Sequence, residues 1–145
     1  MSRYAKPDAP WATIQRVGVF PFQTPFEDKV RRQWATQLFV RELQRLGRFE
    51  VVELNSLPPS PGPSNLTVAA RQAGVDAYIQ GTVEDLAEIF ADFQMVDAAT
   101  GETLWSLRYH RGGGPEFSFR FTTSQQQLQR IFRLSVRHLA RTARS

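Results

Sequence analysis

The chain contains no cysteine, which excludes disulfide staples, thiolate nucleophiles and sulfur-ligated metal centres. Histidine occurs only at His110 and His138, and neither has a second histidine or a carboxylate at metal-ligand spacing. Lysine is confined to Lys6 and Lys29, so the basic charge is carried almost wholly by arginine. The longest apolar runs fall far short of the roughly 20 residues a membrane-spanning helix needs. No charged-then-apolar secretory leader opens the chain. The Gly112–Gly114 run lacks the Lys-Ser/Thr of a phosphate loop, and no G-x-S-x-G turn is present. Asp97 stands alone beside turn residues, and Asp76 sits where a strand begins. With these parts missing no catalytic constellation assembles. The expectation is a protein that is not an enzyme and takes no cofactor or metal.

What is present is an ordinary globular composition. The 145 residues are 41% hydrophobic, with mean hydropathy −0.37. That length is enough for one domain with its own core. Net charge is +4 and the isoelectric point about 10.1. The charge is uneven: from position 120 onward arginines recur at 120, 130, 133, 137, 141 and 144 with no acid among them. Such a run points either to a solvated face or to an anionic partner.

Residues 1–13 carry Pro7 and Pro10 and little periodicity, which predicts a tether or irregular lead-in ahead of a domain over 14–145. Strands are expected over 14–20, 49–54, 76–85, 88–97 and 102–110. Asp97 to Gly101 should turn the last two into a hairpin, since Asp bonds back to its backbone and Gly accepts positive φ. A first helix is expected over 26–46, with Glu27 and Asp28 in its first turn and Gly47 just past its end. Four prolines between 58 and 63 forbid a regular element there. A short helix over 66–73 capped by Asn65, and a long one over 124–143 opened by Ser124 and Gln127 at capping-box spacing, complete the pattern. The order implies a single-domain α/β sandwich, a mixed sheet of about five strands with helices packed on it.

Three surfaces stand out. On the first helix Ala35, Phe39, Leu43 and Leu46 make one apolar stripe, and Val30, Trp34 and Leu38 make a second. A helix resting on a sheet needs about one such stripe. The second either packs on the last helix or forms a subunit interface, making the chain a homo-oligomer. The last helix turns Leu128, Ile131, Phe132, Ser135, Leu139 and Thr142 inward and Arg130, Arg133, Arg137 and Arg141 outward. That outer face is either solvated or meets anionic lipid headgroups; nucleic acid is a weaker candidate. Phe117, Phe119 and Phe121 alternate after the glycine run, as a sheet edge folded onto the core or as a patch meeting membrane or partner.

Four blocks in order carry a resemblance. They are Arg16-Val17-Gly18-Val19-Phe20-Pro21-Phe22, Gly47-Arg48-Phe49-Glu50-Val51-Val52-Glu53, Ala73-Gly74-Val75-Asp76-Ala77-Tyr78-Ile79-Gln80-Gly81-Thr82-Val83, and the Val96 to Ser106 hairpin with its Trp105. Together, over about residues 14–110, they resemble a group of bacterial envelope proteins. That group includes the curli secretion protein CsgG, the penicillin-binding-protein activator LpoB, the polysaccharide-export lipoprotein PelC and the N-terminal domain of TolB. The resemblance implies a TolB-like fold, itself similar to anticodon-binding domains, and a periplasmic location at the outer membrane. It implies a signal peptide and lipid-bearing cysteine upstream of Ser2. It also implies a role in export or assembly of a surface polymer, such as exopolysaccharide or fibre, through an oligomeric ring and envelope partners. An LpoB-like activator of a peptidoglycan synthase and a nucleic-acid-binding module are the alternatives. The long lipid-facing hairpins of CsgG have no counterpart here, so this chain is not expected to form a pore itself.

Overall fold

The computed structural model describes residues 2–24, 29–54, 62–85, 89–111 and 124–143. In chain order these form β1 (Ser2–Ala5), a short 3-10 helix (Trp11–Thr13), β2 (Arg16–Val19) and α1 (Lys29–Arg45), then β3 (Glu50–Glu53) and α2 (Pro63–Gln72). The strands β4 (Ala77–Asp85), β5 (Ile89–Asp97) and β6 (Thr103–Arg111) and the helix α3 (Ser124–Ala143) follow. All six strands join one sheet in the order β1-β6-β5-β4-β2-β3. β2 runs parallel to β3 and β4, while β4, β5, β6 and β1 pair antiparallel. The architecture is the expected α/β sandwich on a mixed sheet, with one strand more than expected.

That additional strand is the correction the lead-in requires. Residues 2–5, within the expected tether, pair with β6 from Ser2↔Arg108 to Ala5↔Trp105. The amide of Lys6 continues the ladder to the carbonyl of Leu104 at 2.9 Å. Trp11 is buried, and Arg48 holds that turn by donating to the carbonyls of Trp11 at 2.7 Å and Ile14 at 3.2 Å. Every side chain of β1 is exposed, so the strand carries no alternation to read. It exists because β6 would otherwise leave its backbone groups unpaired.

The two faces of the sheet are covered unequally. α1 and α3 lie on one, closing the main core of Val17, Val19, Ile79, Phe93, Met95, Trp105 and Leu107 against Ala35, Phe39, Leu43, Leu128, Phe132 and Leu139. Parity along β4 makes this work: Ala77, Ile79 and Val83 belong to this core, while Tyr78 belongs to a smaller cluster on the far side. There α2 packs Leu66 and Ala70 on Tyr78, Val96 and Phe20. α2 begins at Pro63 rather than at Leu66, and Gly62, not Asn65, holds its N-cap position. Proline is well suited to the first helical position, where its missing N–H has no partner to lose. The start expected for α1 at 26, with Glu27 and Asp28, falls outside the described residues.

The hairpin forms as read. Asp97 Oδ1 accepts from the Ala99 amide at 2.8 Å, the Gly101 amide bonds the Asp97 carbonyl at 2.8 Å, and Gly101 has φ +75°. Arg71 of α2 clamps it by donating to the Ala98 and Ala99 carbonyls, both at 2.6 Å.

Candidate functional site

The paired helices α1 and α3 make the most distinctive surface. Both sit on the same sheet face, and between them they contain a single acid, Glu42. Its side chain is only 8% exposed and its Oε1 lies 3.2 Å from both Arg45 of α1 and Arg133 of α3. A buried carboxylate demands such partners, because removing it from water unpaired costs several kcal/mol. Among the described residues of the two helices, the one negative charge is thereby turned inward and neutralised. What faces out is Arg41 and Arg45 from α1, with Arg130, Arg133, Arg137 and Arg141 from α3. Leu134, 49% exposed, stands among the α3 arginines.

Helical spacing places Val30, Trp34, Leu38 and Glu42 in one i, i+4 row, and Glu42 marks that row as running beside α3. Trp34 and Leu38 are half-buried and pack against the main core, whereas Val30 is 78% exposed. The second apolar stripe is therefore divided: its middle leans on the core and its N-terminal end is open. On α3, Leu128, Ile131, Phe132, Ser135 and Leu139 are buried as expected, and Thr142 is half-buried. Val136, Ala140 and Ala143 are buried as well. Phe117, Phe119 and Phe121 lie outside the described residues.

His138 occupies the opposite flank of α3. Its Nδ1 accepts a hydrogen bond from the Trp105 indole N–H at 2.8 Å, which assigns it a packing role inside the fold. Burial, and then the charges of Arg3 and Arg141, hold its pKa below the ordinary histidine value.

The isolated carboxylates are likewise committed to the backbone. Asp76 Oδ2 accepts from the amides of Gln15 at 3.0 Å and Arg16 at 2.9 Å, stitching the entry of β2 to that of β4. Those two amides hold its pKa below the usual carboxylate range. Asp76 and Asp97 share a shallow cleft with Thr13, Arg71 and Ala99, but in each case the hydrogen bonds serve strand and turn geometry. Among the described residues no three His, Asp or Glu side chains converge on a possible metal position. No helix among them is long and apolar enough to cross a membrane.

The part of the sheet beyond α2 carries cross-strand polar pairs. Gln80 donates to Gln94 at 2.9 Å, Arg108 to Asp92 at 3.1 Å, and Arg108 also lies over the Phe90 ring. The sequence reading did not single out this face, nor the contribution of Arg41 and Arg45 to the basic surface. The near-absence of acids from both long helices was the available signal for the latter.

No protein-family profile matches the sequence, and no curated protein matches it. Solved structures do resemble its fold. PelC from Paraburkholderia phytofirmans, described as a dodecamer, aligns with TM-score 0.67 over 92% of both chains at 14% identity. The lipoprotein GNA1162 from Neisseria meningitidis aligns with TM-score 0.54 over 86% of this chain and 96% of its own, at 15% identity. The C-terminal domain of LpoB from Salmonella enterica aligns with TM-score 0.51 over 69% of this chain and 84% of its own, at 17% identity. The fold is thus the one the sequence blocks pointed to.

Proposed function

We propose that this chain is a non-enzymatic accessory protein of the bacterial envelope. In this reading it works in the periplasm at the outer membrane as a closed homo-oligomer and assists export of a surface polymer such as exopolysaccharide. The observation that carries the reading is the extent of the likeness to the PelC dodecamer, 92% of both chains. The LpoB domain matches only 69% of this chain. The open end of the apolar row on α1, Val30 with the exposed side of Trp34, is the proposed subunit contact. An exposed valine beside a half-buried tryptophan supplies an apolar anchor of the kind that dominates subunit contacts.

Light scattering on the purified protein tests this directly. A ring predicts one large particle of defined mass. A monomer that binds a peptidoglycan synthase would instead mark the activator reading.

A further inference from the structure

We propose that the outer surface of the α1–α3 layer is a docking surface for anionic phospholipid. Three observations converge. First, the exposed charge of the layer is of one sign: α1 and α3 expose Arg41, Arg45, Arg130, Arg133, Arg137 and Arg141, and the one acid within their spans, Glu42, is buried. The other described acids lie elsewhere. Asp8 follows β1, Glu50 and Glu53 are on the edge strand β3, Asp76, Asp85, Asp97 and Glu102 stand at strand ends, and Glu84 and Asp92 are on β4 and β5. Second, the two helices lie side by side on one sheet, tied by the Arg133–Glu42 pair at 3.2 Å. The arginines of both therefore belong to one broad surface and not to two separate stripes. Third, Leu134 is 49% exposed among these arginines.

Cationic heads around a protruding apolar side chain suit a phospholipid surface. The guanidinium groups meet phosphates while the apolar group enters the boundary between headgroup and acyl chain. Single-stranded nucleic acid calls for something else, aromatic rings spaced along a basic groove. The exposed positions of these helices among the described residues are arginine, glutamine, leucine and valine. The inference does not rest on ring formation, because one copy carries the whole surface.

Vesicle flotation of the full chain tests it, using phosphatidylcholine alone and phosphatidylcholine mixed with phosphatidylglycerol in equal parts. The protein should float with the mixed vesicles, stay behind with the neutral ones, and be released by high salt. Arg41→Glu/Arg137→Glu should lower partitioning by more than about 25-fold, since losing each arginine alone is worth about fivefold. Arg41→Gln/Arg137→Gln gives a milder loss in the same direction should charge reversal disturb folding. Leu134→Ser should weaken binding without changing its salt dependence. Light scattering on each variant reads the particle mass separately, so failure of lipid docking and failure of the ring are distinguishable. Equal binding to both vesicle types overturns the proposal, as does unchanged partitioning in the folded double variants. Binding to a labelled oligonucleotide more tightly than to the mixed vesicles reassigns the surface to nucleic acid.

Discussion

The indole N–H of Trp105 donates to Nδ1 of His138 across 2.8 Å, joining β6 to α3. Trp105 is fully buried, so this nitrogen has no access to bulk water, and only a neutral imidazole offers it a lone pair. The sign of the pH effect follows. The His138 pKa is lowered by folding, so the unfolded chain binds the extra proton first as pH falls. Stability should be complete above the ordinary value near 6.5 and decline as pH drops from there toward the folded value. Thermal melting followed from neutral to mildly acidic pH checks this. His138→Gln keeps an acceptor that does not titrate there and should flatten the profile; an equally steep profile would remove His138 as the cause.

Glu42 and Arg133 should be coupled. Glu42 is buried while Arg133 is about half-exposed, so solvent screening discounts the pair and a coupling of about 1–2 kcal/mol is expected. A double-mutant cycle with Glu42→Gln and Arg133→Gln in urea measures it. Additive effects would mean that Arg45 alone compensates the carboxylate.

Phe22, Phe39, Phe93 and Phe132 touch in all six pairings, with ring centroids 4.9 to 6.1 Å apart. One ring comes from the segment after β2, one from α1, one from β5 and one from α3. Phe39→Ala or Phe132→Ala should cost about 3–5 kcal/mol in chemical denaturation. Gly81 backs the cluster: an added Cβ would meet Phe93 at 2.8 Å and Phe22 at 3.1 Å. Gly81→Ala should therefore destabilise by about 1–3 kcal/mol through overpacking. A neutral Gly81→Ala would show that the rings move aside freely.

The subunit contact has its own test. Val30→Asp alters a side chain that is 78% exposed, so the circular dichroism spectrum should persist while the particle seen by light scattering shrinks. Trp34→Asp should shrink it further at some loss of stability, since Trp34 also packs on the core. A wild type that is already monomeric would end the ring proposal.

The strands and helices that were legible in the sequence are those whose own periodicity reports their burial. β4 alternates because Ala77, Ile79 and Val83 face the main core while Gln80, Thr82 and Glu84 lie on a face that α2 covers only at Tyr78, and α3 shows one buried side and one charged one. The Asp97 turn was legible because its chemistry is local. β1 was not, since an exposed edge strand is specified by the neighbour it pairs with rather than by its own residues. Nor was the start of α2, where Pro63 was counted among prolines that break structure although the first helical turn accepts one. The basic surface was half legible: the arginines of α3 are visible along the chain.

By itself, then, the sequence determined the α/β class, the hairpin, the inward stripes of α1 and α3, and the absence of thiol chemistry. Each follows from residue type and spacing within a few turns or strands. Only the tertiary structure decided that Ser2–Ala5 closes the sheet edge, that Glu42 reaches Arg133, and that Trp105 reaches His138. It also decided that the arginines of two helices, some 90 residues apart in the chain, share one surface. These are contacts between elements, set by how helices settle on a sheet, and no periodicity within one element encodes its partner.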